Sequence, residues 1–220
     1  MKKLRILCLH GYHGNAQVMR SQVLPLTSGL DHLAHFIYVD APALAEGDFG
    51  WWHAIEQSTQ NKVAGVDSSS IRYSGWAKTY KWIIATFENA GPFDGVFGFS
   101  QGAALTALLV GLRAPDGNVS TKYPLAFDFA MMAGAFLAND PALKALYEAE
   151  ASYELPSAHI IGRSDLIVPS RYSYDVAALF KRPLVIEHGG GHIVDGSEKT
   201  REQVAFFLEQ QLDLGRKGFK

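Results

Sequence analysis

The chain has 220 residues, 48% of them hydrophobic and 19% charged, with a formal net charge of −2 at pH 7. That length and apolar content suit one α/β domain with a sizeable core, and no long basic run offers a surface for nucleic acid. A single cysteine, Cys8, excludes an internal disulfide and a cysteine-based metal site.

The first residues, Met1-Lys2-Lys3-Leu4-Arg5, open like a signal peptide. The apolar run is too short for one, Arg5 interrupts it, and no stretch approaches the length of a membrane span. A soluble cytoplasmic protein is therefore expected. Leu4–Leu9 reads as a strand in which Cys8 is a buried small hydrophobe. The loop His10-Gly11-Tyr12-His13-Gly14-Asn15 follows it, and His35–Val39 reads as a second strand.

Residues 42–73 break the rhythm. They hold Phe49, Gly50, Trp51, Trp52 and His53, then a polar stretch ending in Asp67-Ser68-Ser69-Ser70. Connections of this length usually serve function or move. Two readings stand: Trp51 and Trp52 anchor a surface loop on the core, or with Phe49 they wall an acyl-binding pocket in a lid-like connection.

Regular elements then resume. Trp76, Tyr80, Ile83, Ile84 and Phe87 recur at helical spacing, with Ser74 as a plausible N-cap and Gly91-Pro92 as the stop. Phe93–Phe99 reads as a short buried strand and Gln101–Leu109 as the helix after it. Further strands are expected at Phe127–Met132, His159–Ile161 and Leu184–Glu187. Tyr172, Val176, Leu179 and Phe180 mark a helix entered through Pro169-Ser170, and Val204, Phe207, Leu208 and Leu212 mark a C-terminal one. Several strands lack polar alternation, as in a parallel sheet covered on both faces. The alternation predicts an open, mostly parallel, doubly wound sheet with helices on both faces, in a single domain over 1–220 without a separate large lid domain.

The candidate chemistry starts at Gly98-Phe99-Ser100-Gln101-Gly102. A strand before and a helix after place Ser100 on a sharp turn, the nucleophile elbow of α/β-hydrolases. The two glycines allow strand and helix to pack closely around it. In an open parallel sheet, ligands bind beyond the C-terminal strand ends, so the other members are sought there. His192 ends Gly189-Gly190-Gly191-His192, a loop able to fold back over that edge and bring a base to Ser100. His188, at the strand end itself, competes for the role and fits loop support better. Asp165 follows Ile160-Ile161-Gly162-Arg163-Ser164 and can orient the histidine; Asp195 more naturally opens the last helix. The backbone N–H groups of Tyr12 and Gln101 are candidate oxyanion donors, with the Tyr12 side chain incidental. The histidine pairs His10/His13, His32/His35 and His188/His192 lack a third ligand on a shared helix face, so neither metal nor cofactor is expected.

These stretches carry a resemblance. Leu7-Cys8-Leu9-His10-Gly11 with Asn15, Phe49-Gly50-Trp51-Trp52, Tyr73-Ser74-Gly75, Gly98 through Ala104, Gly162-Arg163-Ser164-Asp165 through Pro169, and Gly190-Gly191-His192 span nearly the whole chain. In them the chain resembles the fungal family of serine hydrolases, which includes the ovarian-cancer-associated serine hydrolase of animals. The resemblance implies a compact α/β-hydrolase core, a triad of Ser100, Asp165 and His192, and ester hydrolysis. Relatives often carry Gln just before the Asn, where this chain has Gly14.

The expected activity is that of a serine carboxylesterase acting on a small uncharged ester, with a preference for medium chain length if the aromatic residues wall the pocket. The rivals are a thioesterase acting on acyl carriers and a hydrolase-fold receptor with little turnover. Nothing in the sequence sets the oligomeric state.

Overall fold

The unbroken apolar runs become strands buried on both faces. The computed structural model describes residues 2–42, 50–58, 69–115, 117–148 and 152–217. In chain order they form β1 (Leu4–Leu9), α1 (Ala16–Thr27), β2 (Ala34–Val39), β3 (His53–Ser58), β4 (Ser69–Ser74), α2 (Trp76–Ala90), β5 (Gly95–Phe99), α3 (Gln101–Gly111), β6 (Phe129–Ala133), α4 (Lys144–Tyr147), β7 (Ser157–Gly162), α5 (Ser170–Ala177), β8 (Leu184–His188) and α6 (Glu198–Lys217).

Among the described residues, six strands make one sheet in the order β2-β1-β5-β6-β7-β8, with every neighbouring pair parallel. The chain winds from β1 to β2 in one direction and from β5 to β8 in the other. The order therefore reverses between β1 and β5, the place where an open α/β sheet leaves a crevice.

Side-chain alternation along the strands feeds two cores. Leu7, Leu9, Val96, Ala130 and Met132 face α2, α3 and α5. Ile6, Cys8, Phe97, Phe129, Met131 and Ile160 face α1 and α6, from which Met19, Val23, Val204, Phe207 and Leu208 descend. Burial pushes the Cys8 thiol far above its ordinary range, despite a backbone hydrogen bond acting the other way, so it is an inert core residue. Helix α3 is buried along its whole length, which is why its sequence is apolar on every side.

Three local features depart from the sequence reading. Helix α1 was not anticipated; the Asn15 side chain caps it by accepting from the Val18 N–H, and Pro25 sits in its last turn. Residues 53–58 and 69–74, expected within one long connection, pair as an antiparallel hairpin. Gly75, not Ser74, caps α2, at a φ of 91° that suits glycine; Ser74 ends β4 opposite His53. Among the described residues, no helix is long and apolar enough to cross a membrane.

Candidate active site

Strand β5 delivers the chain into a turn too tight for ordinary backbone. Ser100 sits at φ 54° and ψ −118°, outside the regions that L-residues favour, and the surroundings hold it there. Its N–H donates to the Ala133 carbonyl at 2.9 Å, while its own carbonyl accepts from Ala103 and Ala104 in the first turn of α3. The flanking glycines are steric necessities. A β-carbon at Gly98 would lie 2.1 Å from the Gly102 carbonyl oxygen, and one at Gly102 would lie 2.1 Å from that of Leu9.

The loop after β7 presents Asp165, buried against its own turn. Its Oδ1 accepts the N–H groups of Ile167 (2.9 Å) and Val168 (2.8 Å). That leaves Oδ2 for His192 Nδ1, 2.6 Å away. His192 comes from the glycine loop after β8, and its Nε2 lies 2.8 Å from Ser100 Oγ. An ionised carboxylate only accepts, so the proton belongs on Nδ1 and Nε2 is free to accept the serine O–H. The imidazole rests against the Phe99 ring, with centroids 4.8 Å apart. On another side it meets Gly134, where a β-carbon would come within 2.9 Å of Cε1.

The competing residues are placed elsewhere. His188 accepts the Gly190 N–H through Nδ1 at 3.2 Å and so braces the glycine loop. Asp195 accepts from Ser197 (2.6 Å) and Thr200 at the entry to α6. Burial raises its pKa, but these hydrogen bonds outweigh burial and hold it below the usual carboxylate range.

The loop after β1 passes close to Ser100: a β-carbon at Gly11 would lie 3.3 Å from Ser100 Cβ. His10 locks this loop from beneath. Its Nδ1 lies 2.7 Å from the Gly11 carbonyl oxygen, and its Nε2 lies 3.0 Å from the Ala41 nitrogen and accepts that N–H. Burial lowers the His10 pKa, against the raising effects of the Gly11 carbonyl and Asp40, consistent with a neutral ring accepting at Nε2. Gly14 closes the loop onto the Gly11 carbonyl at 3.0 Å, and a β-carbon there would stand 2.9 Å from that oxygen. Glycine is thus the residue this loop geometry admits. As the first residue of α3, Gln101 has an N–H with no acceptor inside the helix, aimed out at the same end as Ser100.

Ser100 opens into a cavity of about 480 Å³ lined by Tyr12, Trp52, His53, Tyr73, Phe136 and Val168, among others. The Tyr12 side chain, expected from sequence to be incidental, lines this cavity; its OH lies 3.2 Å from His53 Nδ1. The two tryptophans divide the roles proposed for them. Trp52 lines the cavity, whereas Trp51 is absent from the lining and lies sealed in the core, 0% exposed, with Nε1 donating to the His10 carbonyl. Phe49 lies outside the described residues. The hairpin residues and Gly134 were missed: the hairpin lacks clean alternation, and the need for Gly134 arises from a ring far along the chain. Another cavity, of about 520 Å³, lies at the opposite end of β7 and β8 against α6. Among the described residues, no group of three or more His, Cys, Asp or Glu is arranged to hold a metal ion.

The parallel sheet, its two helical layers and the elbow after the central strand define an α/β-hydrolase. More narrowly, the serine hydrolase (FSH1) family model matches residues 1–204, and the chain belongs to that family. Esterase C25G4.2 of Caenorhabditis elegans is 32% identical over 218 residues, covering 96% of this chain and 95% of its own. Human esterase OVCA2 is 28% identical over 229 residues, covering 95% and 97%. Among solved structures, Zea mays acyl-protein thioesterase 2 superposes with a TM-score of 0.64 at 19% identity, covering 96% of this chain and 95% of that one. The protein is a serine hydrolase.

Proposed function

We propose that the protein is a carboxylesterase of one α/β-hydrolase domain that cleaves small uncharged esters through an acyl-enzyme. Ser100 is the nucleophile, His192 the base and Asp165 its orienter. In the first half-reaction His192 Nε2 takes the Ser100 proton as Oγ adds to the acyl carbon. The N–H groups of Gln101 and Tyr12 receive the oxyanion. His192 then returns the proton to the departing alkoxide, leaving the acyl group on Ser100. Water enters, gives its proton to His192 and adds to the same carbon; collapse of the second tetrahedral intermediate frees the carboxylic acid and restores Ser100. Asp165 stays ionised throughout and stabilises the transient imidazolium. Residues Trp52, Tyr73 and Phe136 give the acyl group an apolar wall beside the nucleophile.

The observation that carries this reading is the continuous chain from Asp165 Oδ2 through His192 to Ser100 Oγ, at 2.6 and 2.8 Å. A fluorophosphonate probe followed by peptide mapping tests the nucleophile: the adduct is expected on Ser100. A panel of p-nitrophenyl esters beside matched acyl thioesters tests the substrate class. Hydrolysis confined to thioesters would replace the esterase reading with a thioesterase one. Labelling without turnover of either series would favour a ligand receptor built on the same fold.

A further inference from the structure

The backbone of Trp51 and Trp52 lies outside both sheets, and side chains meet its polar groups. The Trp51 N–H donates to Gln101 Oε1 at 3.0 Å, and Gln101 Nε2 donates to the Trp52 carbonyl at 2.8 Å. Thr79 Oγ1 donates to the Trp51 carbonyl between them. One amide thus satisfies the N–H of one tryptophan and the carbonyl of the next. Only one orientation of that amide serves an N–H and a carbonyl together, and the amide is buried, with Gln101 7% exposed.

The far side of the same wall is braced separately. The Trp52 ring lies parallel to that of Tyr73, with centroids 4.8 Å apart and planes 8° from coplanar. The Tyr73 N–H donates to Asp140 Oδ2 at 2.8 Å, and the Tyr73 hydroxyl accepts the Asn139 N–H at 2.9 Å. Asp140 is itself buried and fixed through its other oxygen by the Ala142 N–H. Both Trp52 and Tyr73 line the cavity into which Ser100 opens.

We propose that the Gln101 side chain is a positioning residue that sets acyl-chain selectivity by hanging the Trp52–Tyr73 wall from the nucleophile's own turn. The inference rests on the esterase reading above. The residue bonded to Ser100 on its C-terminal side carries the clamp, so the wall keeps a fixed spacing from Oγ, and Asp140 stops it from swinging away. Such a wall selects by being held in place before substrate arrives, where a mobile lid would select by closing. Gln101 thereby joins two tasks: its main chain faces the reacting carbonyl and its side chain determines which acyl chains fit beside it.

The test is steady-state kinetics on p-nitrophenyl acetate and hexanoate for wild type, Gln101→Leu, Gln101→Glu and Asp140→Ala, each checked for fluorophosphonate labelling of Ser100. Gln101→Leu removes both clamp bonds at similar volume; Gln101→Glu keeps the acceptor for Trp51 and loses the donor to Trp52. The expected result is a fall of about ten-fold in the hexanoate-to-acetate ratio of kcat/KM for Gln101→Leu, read mainly in the KM for hexanoate. A smaller fall is expected for Gln101→Glu. Asp140→Ala should lower the same ratio. An unchanged ratio in the labelled Gln101 variants, whatever the overall loss of rate, overturns the proposal. Should Gln101→Leu fail to fold, Gln101→Glu and Asp140→Ala decide, and an unchanged ratio in both overturns it. Failure of the esterase reading is distinct: wild type would then hydrolyse neither ester.

Discussion

At φ 54° the β-carbon of Ser100 crowds its own backbone, and the turn persists because β5 and α3 grip it from both sides. The hydroxyl contributes little to that grip, so Ser100→Ala should keep the fold while kcat on esters falls by about 10⁴-fold. Retention of a tenth of the activity by that variant would remove Ser100 as nucleophile. His192→Ala should be nearly as damaging and His188→Ala much milder, since His188 reaches the Gly190 N–H and not the serine. The reverse ranking would exchange the two histidines. Gly134 has a narrower role. With its φ of 58° and a β-carbon position 2.9 Å from the His192 ring, Gly134→Ala should push the imidazole off the line to Ser100. The expected outcome is a fall in kcat of about 10²-fold, with His192 displaced in a crystal structure of the variant. Wild-type kinetics would show that the ring tolerates the methyl group. That Ser100, Asp165 and His192 meet at one sheet edge was legible because each follows an apolar run that ends in glycine at or near the strand end. Gly134 was not, since a glycine after a strand has many uses and only the folded ring reveals this one.

Among the elements, α2, α3, α5 and α6 could be read from periodicity or from an unbroken apolar run, whereas α1 and the β3–β4 hairpin could not. In α1, Pro25 reads as a breaker, although the last turn accommodates it. In the hairpin, Ile55 stands opposite Arg72 and Glu56 opposite Ile71, so no clean apolar face advertises a strand. What holds the hairpin in register against the body is Tyr73 on Asp140 and Trp52, contacts that span distant sequence. The adjacent tryptophans consequently have different fates on truncation. Trp51→Ala empties a core site and strands the His10 carbonyl, so urea unfolding should show a loss of about 3–5 kcal/mol. Trp52→Ala should instead flatten the dependence of kcat/KM on acyl length in protein that still labels at Ser100. A full chain-length profile in Trp52→Ala would send the search for the acyl wall toward Phe136 and Val168.

For the molecule as a whole, the sequence conveyed a parallel sheet covered on both faces, because uninterrupted apolar runs leave no solvent side. It did not convey that β5 lies beside β1, since periodicity within a strand says nothing of its neighbour. Burial of these strands also fixes how the protein responds to acid. His159 on β7 is 1% exposed, its Nε2 lies 3.0 Å from Ser157 Oγ, and burial depresses its pKa from 6.5 to about 3. Below 6.5 the unfolded chain takes up a proton that the folded chain refuses, so the stability present above that value is lost as pH falls toward 3. His10, also lowered by burial, acts in the same direction. Between pH 7 and 5 the urea stability of His159→Asn should depend on pH less steeply than that of wild type, by up to one proton. Identical slopes would remove His159 from the acid response.

The reversal of strand order at β1 has a consequence for biosynthesis. Ser100 leaves the ribosome well before its hydrogen-bond partner His192 and before α6, the helix that completes one core. Until Val204, Phe207 and Leu208 emerge, the sheet face bearing Phe97, Phe129 and Ile160 lacks the cover that α6 supplies, and exposed apolar surface of that kind is prone to aggregate. Under the proposed mechanism, a nascent chain that stops short of His192 carries a Ser100 with no base to activate it. In cell-free translation, fluorophosphonate should mark only products that extend through α6. Label on chains arrested before His192 would mean that Ser100 is reactive without its partners.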